Sequence, residues 1–191
     1  MKGVNIFLAD GFEEIEALAT LDVLRRGQIK ISTVSVTEAG VVTGAHGVQV
    51  AADMTWSGFQ ASVPMEEATR NDVMVFPGGM PGTKFLAEKQ ELMTMMKRHY
   101  AEGGTIAAIC AAPGLVVSQL PTLEGKKFTC YDGFEAAPTA KGGEYVRAPF
   151  VVDSNLITGR GPGCAVDFAL AILSHLKGPA IASETRAAMM I

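Results

Sequence analysis

The chain has 191 residues, 48% hydrophobic and 19% charged, with 21 glycines, a net charge of −4 at pH 7 and a pI near 5.4. That length suits one compact domain over residues 1–191 with a sizeable core, and an acidic balance without a basic run argues against a nucleic-acid surface. Three cysteines (Cys110, Cys130, Cys164), odd in number and without C-x-x-C spacing, argue against a disulfide framework or a zinc site and favour a reducing compartment.

Val4 to Ala9 reads as a first buried strand. Its apolar run is broken by Asp10, too short for a secretory core, and no stretch approaches a membrane span, so a cytoplasmic protein without membrane contact is expected. Asp10-Gly11 turns the chain into a helix from Phe12 to about Arg26, stopped by Gly27, with acids in its first turn and arginines in its last. Ile15, Ala19 and Val23, with Leu18 and Leu21 beside them, form its expected core face. Lys30 to Val36 is strand two, which completes a β-α-β unit with a right-handed crossover.

Val41–Thr43 against Val48–Ala51 reads as a glycine-rich hairpin, and Met54 to Pro64 as a loop carrying Trp56. Asp72 to Phe76 is a core strand that ends in Pro77-Gly78-Gly79; one or two helices fill 82–101. Later come strand Lys127–Thr129, strands Phe150–Val152 and Leu156–Thr158 around an Asp153-Ser154-Asn155 turn, an apolar helix Cys164–Leu176, and a short last helix. The alternation predicts an α/β fold, a doubly wound and mostly parallel sheet with helices on both faces, with ligands beyond the carboxyl ends of the strands.

The remaining strand organises the chain. Thr105 to Ile109, opened by Gly103-Gly104, runs into Cys110 and then a helix start with Pro113 in its first turn. Ala108 and Ala112 supply the small neighbours that a nucleophile on a sharp strand-to-helix turn needs, and helix-start N–H groups would favour its thiolate and lower its pKa. On these residues alone Cys110 is either that nucleophile or one more small buried hydrophobe. Gly78-Gly79 lets the backbone pass close to a ligand, so the Gly79 and Ala111 N–H groups can form an oxyanion hole, or the pair is an ordinary turn. Glu13 and Glu14 suit a solvated first turn, whereas Glu16, near the end of strand one, would stay protonated if buried and donate to a sulfur anion. Among the histidines, which lack ligand spacing, His46 suits a surface or interface role; His99 and His175 read as surface residues of amphipathic helices. Tyr131-Asp132 follows a strand end and can line the pocket, with Cys130 and Cys164 as buried neighbours.

Four segments in order resemble the ThiJ/PfpI superfamily, in its parkinsonism-associated protein deglycase and YajL-like branch. They are Gly11-Phe12-Glu13-Glu14-Ile15-Glu16-Ala17, Phe76-Pro77-Gly78-Gly79, Ala107-Ala108-Ile109-Cys110-Ala111-Ala112-Pro113, and Gly159-Arg160-Gly161-Pro162-Gly163 followed by Asp167-Phe168-Ala169-Leu170. The resemblance implies a flavodoxin-like three-layer sandwich, a homodimer, and an oxidation-sensitive nucleophile Cys110 bonded to a protonated Glu16. It implies an oxyanion and substrate pocket from Gly78, Gly79, Ala111, Tyr131 and Glu13, and a dimer contact near the site at His46, Arg160 and Pro162. No cofactor and no metal are expected. The implied activity is glyoxalase chemistry on methylglyoxal or related reactive aldehydes, or deglycase action, with oxidative-stress protection as a chaperone.

Three departures qualify it. Tyr131 stands where some members have a pocket histidine, His46 replaces an arginine of the dimer contact, and Ala111 replaces the histidine that follows the cysteine in protease members. The last lowers a cysteine peptidase reading, and the thiazole-biosynthesis label of some relatives is not transferred. Two function classes remain. In the enzyme, Cys110 adds to an α-oxoaldehyde and Glu16 moves protons toward a 2-hydroxy acid. In a non-enzymatic sensor, peroxide oxidises Cys110 and changes partner binding.

Overall fold

A computed structural model describes all residues from 1 to 191. The chain runs β1 (Val4–Leu8), α1 (Glu14–Arg26), β2 (Ile31–Ser35), β3 (Val41–Thr43), β4 (Gln49–Ala51), α2 (Trp56–Ser62), β5 (Val73–Phe76), α3 (Gly82–Glu88), α4 (Gln90–Ala101) and β6 (Thr105–Ile109). It continues through α5 (Ala112–Leu115), β7 (Lys127–Phe128), α6 (Ala136–Thr139), β8 (Glu144–Tyr145), β9 (Phe150–Asp153), β10 (Leu156–Gly159), α7 (Ala165–Lys177) and α8 (Pro179–Ala188). No helix is long and apolar enough to cross a membrane.

Six strands form the main sheet in the order β2-β1-β5-β6-β10-β9, all parallel except the edge strand β9. Strands β1, β5, β6 and β10 are buried on both faces, and the pleat sorts their side chains between two cores. Val73, Val75, Ala107 and Ile109 join α1, α7 and α8 on one face; Met74, Phe76, Ile106 and Ala108 join α2, α3, α4 and the 112–120 segment on the other. In the second core the Phe7 ring stacks on Phe76 at 5.5 Å and meets Phe59 edge-on at 5.3 Å. This is the flavodoxin-like three-layer sandwich. The chain winds outward in opposite directions from β1 and β5, so a crevice opens beyond their carboxyl ends.

Several expectations from the sequence are corrected. The core face of α1 is Glu16, Ala17, Thr20, Val23 and Leu24; Ile15 is 57% exposed, and Leu18, Ala19 and Leu21 are half-buried. The helix is turned so that Glu16 faces the sheet, with the Thr20 hydroxyl donating to the Glu16 carbonyl at 2.7 Å. Residues 56–62 are helical rather than a loop, because Thr55 caps the Gly58 N–H and Trp56 and Phe59 are buried one turn apart. Strand β7 stays outside the main sheet and pairs with β8.

Neither His99 nor His175 is a plain surface residue. His99 is 0% exposed, and its Nε2 donates to the carbonyls of Asp72 (3.0 Å) and Thr105 (3.2 Å). His175 is half-buried, with Nε2 3.0 Å from both the Thr105 hydroxyl and the Arg70 carbonyl. Burial pushes both rings below the usual imidazole range.

Candidate active site

Three strand ends converge at the crevice: β1 leads into Glu13–Glu16, β5 into Gly78-Gly79, and β6 into Cys110. Cys110 sits at φ +64°, in the left-handed region that a side chain rarely adopts. Its backbone is pinned there on both sides. Its N–H donates to the Gly159 carbonyl at 3.0 Å, and its carbonyl accepts the Tyr131 N–H at 2.9 Å. A strained elbow held by two neighbouring segments aims a half-buried thiol into the crevice.

Gly78 is where the parts meet. Its N–H donates to Glu16 Oε2 at 2.7 Å, and its carbonyl accepts the Glu13 N–H at 2.9 Å. A Cβ on Gly78 would lie 2.5 Å from Cys110 Cβ, 2.6 Å from Glu16 Oε2 and 2.9 Å from Cys110 Sγ. Only a glycine therefore fits between the thiol and the carboxyl. Gly79, at φ +89°, has the same need on its other side, where a Cβ would stand 2.3 Å from the Glu13 nitrogen.

Glu16 is 0% exposed, and burial pushes its carboxyl up to about 7 against the Gly78 N–H, with the Glu13 charge adding to the rise. Its Oε1 is buried and makes no hydrogen bond, and the Cys110 thiol is the side chain that stands beside the carboxyl across Gly78. The Cys110 thiol is pushed up to about 12, by burial first and then by the Glu16 charge and hydrogen bond, with the Ala111 and Gly79 N–H groups acting in the opposite direction. The lowered thiol pKa expected from the helix start is thus corrected. Helix α5 is a single turn, and a buried neighbouring carboxylate outweighs it. The two groups titrate as a pair: over the range above about 7 they hold one proton and one negative charge between them.

The other residues singled out in the sequence fall into two groups. Glu13 caps α1, its Oε2 accepting the Glu16 N–H at 2.7 Å, and so fixes the carboxyl that faces the thiol. Tyr131, Arg160 and Pro162 line a cavity of about 310 Å³ with Asp132, Gly161, Gly163 and Cys164. Cys164 is half-buried on this wall instead of lying in the apolar core. Arg160 pairs with both Asp132 oxygens at 2.8 and 2.9 Å, and this pair and Arg147 hold the Asp132 carboxyl low. The cavity adjoins Cys110, whose backbone bonds to Tyr131 itself and to Gly159, the residue before Arg160.

His46 lies elsewhere, on the hairpin. Its N–H and Nδ1 meet the two oxygens of Glu14 at 2.7 and 2.8 Å. Glu14 is therefore buried and not solvated: it bolts the hairpin to α1. Burial works upward on its carboxyl, but the His46 ring and the His46 and Val48 N–H groups outweigh it. Glu13, Glu14 and His46 place one possible ligand atom each within 4.8 Å of one another, yet each is already engaged in these bonds. The role of Glu14 was hidden because its partners come from a hairpin about 30 residues away in the chain. The Asp132–Arg160 pair was hidden for the same reason.

A family model described as the DJ-1/PfpI family matches residues 2–175. Protein dj-1beta of Drosophila melanogaster is 33% identical over 191 residues, covering 100% of this chain and 97% of that protein. Its crystal structure superposes with a TM-score of 0.88 at 31% identity, covering 100% of this chain and 98% of that one. The glutathione-independent glyoxalase DJR-1.2 of Caenorhabditis elegans is 33% identical over 168 residues, covering 87% of this chain and 84% of that protein. The chain spans 47% and 40% of the length of the DJ-1 homologs A and B of Arabidopsis thaliana, to which it is 34% and 35% identical.

Proposed function

This chain belongs to the DJ-1/PfpI family, and from that membership we propose that it is a cofactor-independent glyoxalase that turns α-oxoaldehydes such as methylglyoxal into 2-hydroxy acids. The observation that carries this reading is the buried Glu16 carboxyl, raised to about 7 beside a nucleophile-elbow thiol. A base whose pKa lies near working pH is best suited to move protons in both directions. The glyoxalase among the relatives supports the same reaction class.

In the proposed cycle, Sγ bonds to the aldehyde carbon, and the carbonyl electron pair moves onto oxygen beside the Ala111 and Gly79 N–H groups. The thiol proton passes through the Glu16 carboxylate to that oxygen, leaving a neutral hemithioacetal. Glu16 then takes the C–H proton of the former aldehyde carbon and, through an enediol, returns a proton to the neighbouring carbon. The aldehyde carbon has been oxidised to a thioester and the ketone carbon reduced to an alcohol, so no external redox partner is needed. Water cleaves the thioester, releasing lactate and the thiol. Deglycation uses the same thiol by displacement: Sγ bonds to the carbon of a hemiaminal or hemithioacetal as its C–N or C–S bond breaks, and the amine or thiol leaves with a proton from Glu16, giving the same enzyme-bound hemithioacetal.

Turnover of methylglyoxal to lactate, with Cys110→Ser as blank, is the test. We expect multiple turnovers that the blank lacks. A rate no faster than that of a free thiol would overturn the enzyme reading and leave the sensor.

We also propose that the protein acts as a homodimer, in the reducing cytoplasm where its three free thiols persist. Ile15 and Val48, 57% and 48% exposed, flank the Glu14 carboxylate that joins α1 to the hairpin. Exposed branched side chains beside this joint suit a self-complementary contact. Sedimentation at micromolar concentration should give a mass near twice 20.1 kDa. A monomer would refute the proposal.

A further inference from the structure

A groove of about 460 Å³ runs along α7 where it meets the edge strand β9, and the proposed reaction uses none of its residues. From α7 it is lined by Asp167, Leu170, Ala171, Ser174 and His175. These stand at i, i+3, i+4, i+7 and i+8, so they form one stripe of the helix. From Asp167 to His175 the stripe is about 12 Å long, at about 1.5 Å per residue. Phe150 and Val152 line the β9 side; they lie two apart on that strand and are 39% and 47% exposed.

The two ends of the groove carry an arginine each, and they differ in charge. At the Asp167 end, Arg186 Nη1 lies 2.8 Å from Asp167 Oδ1, so the guanidinium is already neutralised. At the His175 end, the side-chain partner of Arg70 is an imidazole: Arg70 Nη2 lies 3.3 Å from His175 Nδ1. The ring's other nitrogen, Nε2, lies 3.0 Å from the Arg70 carbonyl, which only accepts. Nε2 therefore carries the proton, and Nδ1 offers a lone pair to the guanidinium. The imidazole orients Arg70 without cancelling its charge. With two guanidiniums and one carboxylate, the groove has a surplus positive charge at one end and an apolar middle, in a chain of net charge −4.

We propose that this groove binds a free monocarboxylate with an extended apolar tail, a medium-chain fatty acid in chemical class. Its carboxylate would sit on the Arg70 fork, which matches two oxygens at once. Its tail would lie over Leu170 and Ala171, against Phe150 and Val152, and stop before the Asp167–Arg186 pair. A dicarboxylate of the same length would bring its second charge against Asp167, which is why the groove selects a single charge. The Arg70 end adjoins the start of β6, where Thr105 Oγ1 lies 3.0 Å from His175 Nε2, and the five residues of that strand separate it from Cys110. Binding here is therefore distinct from substrate binding at the thiol.

The test is calorimetric titration of the full chain with octanoate, butyrate and octanedioate. Octanoate should saturate at one per chain, and butyrate should bind more weakly by about fourfold for each methylene lost. Octanedioate should also bind more weakly than octanoate. Arg70→Gln should weaken octanoate by at least about tenfold, the loss of a charge-assisted pair. That variant keeps the Arg70 carbonyl, which accepts from Thr105 and His175 and holds the segment in place, so methylglyoxal turnover should stay at the wild-type level. Val152→Glu, a separate change at an exposed position, should weaken octanoate as well by adding a like charge to the groove. No saturation by octanoate, an affinity unchanged in both variants, or equal affinities for octanoate and butyrate would overturn the proposal. Failure to bind octanoate, together with a dimer that Arg70→Gln dissociates in sedimentation, would assign the groove to a second copy of the chain and overturn it too.

Discussion

Replacing Glu16 by Gln is expected to cost most of the turnover and at the same time to stabilise the fold above neutral pH. Removing a positioned general base costs about 10²–10⁴-fold in rate. The pH profile should change with it. Wild-type turnover should rise as pH rises through about 7, where the Cys110–Glu16 pair loses its first proton. In Glu16→Gln that step disappears, because the remaining thiol is kept protonated by burial until well above this range.

The stability effect follows from the same number. The folded-state pKa of Glu16 is raised from the ordinary 4.5 to about 7, so the native state binds the extra proton between those values. Its contribution is fully present below 4.5 and is lost as pH rises through about 7. At about 1.4 kcal/mol per pH unit, the buried charge costs about 3 kcal/mol above that point. Urea unfolding should show Glu16→Gln close to wild type at pH 4.5 and more stable by up to about 3 kcal/mol at pH 8. The same stability difference at both pH values would mean that the carboxyl is not titrating in this window.

Gly78→Ala is the second large effect. The new Cβ would have to fit within 2.5 Å of Cys110 Cβ, 2.6 Å of Glu16 Oε2 and 2.9 Å of Sγ, so thiol and carboxyl must part. A displacement of about 1 Å at reacting groups costs on the order of 10²-fold in rate. Overpacking should also remove about 1–3 kcal/mol of stability. Gly40→Ala is the control, since nothing lies within 4 Å of its Cβ position. A Gly78→Ala protein that kept wild-type turnover, and whose Cys110 alkylation still rose through pH 7, would show that the two side chains do not need this glycine.

The sequence by itself determined the sheet and the elbow. Thr105–Ile109, opened by Gly103-Gly104, and Val73–Phe76, closed by Pro77-Gly78-Gly79, are short, largely apolar runs flanked by glycine, the length and flanks of a strand buried on both faces. The small residues Ala108 and Ala112 around Cys110, the Gly78-Gly79 pair and the acid at Glu16 were also legible, because each serves a local steric or electrostatic need.

Tertiary structure alone decided the rest. The core face of α1 could not be read from hydrophobicity, since the helix exposes Ile15 in order to bury Glu16. His99 and His175 occupy positions that look amphipathic. Only the packing of α4 and α7 against the start of β6 supplies the carbonyl and hydroxyl groups of Thr105 that draw them inward. Glu14 seemed suited to solvent until the hairpin placed the His46 and Val48 N–H groups around it. The direction of the thiol's pKa shift was decided last. Local helix geometry argues downward, but burial and a carboxylate from the far side of β5 push it upward, and both act through space rather than along the chain.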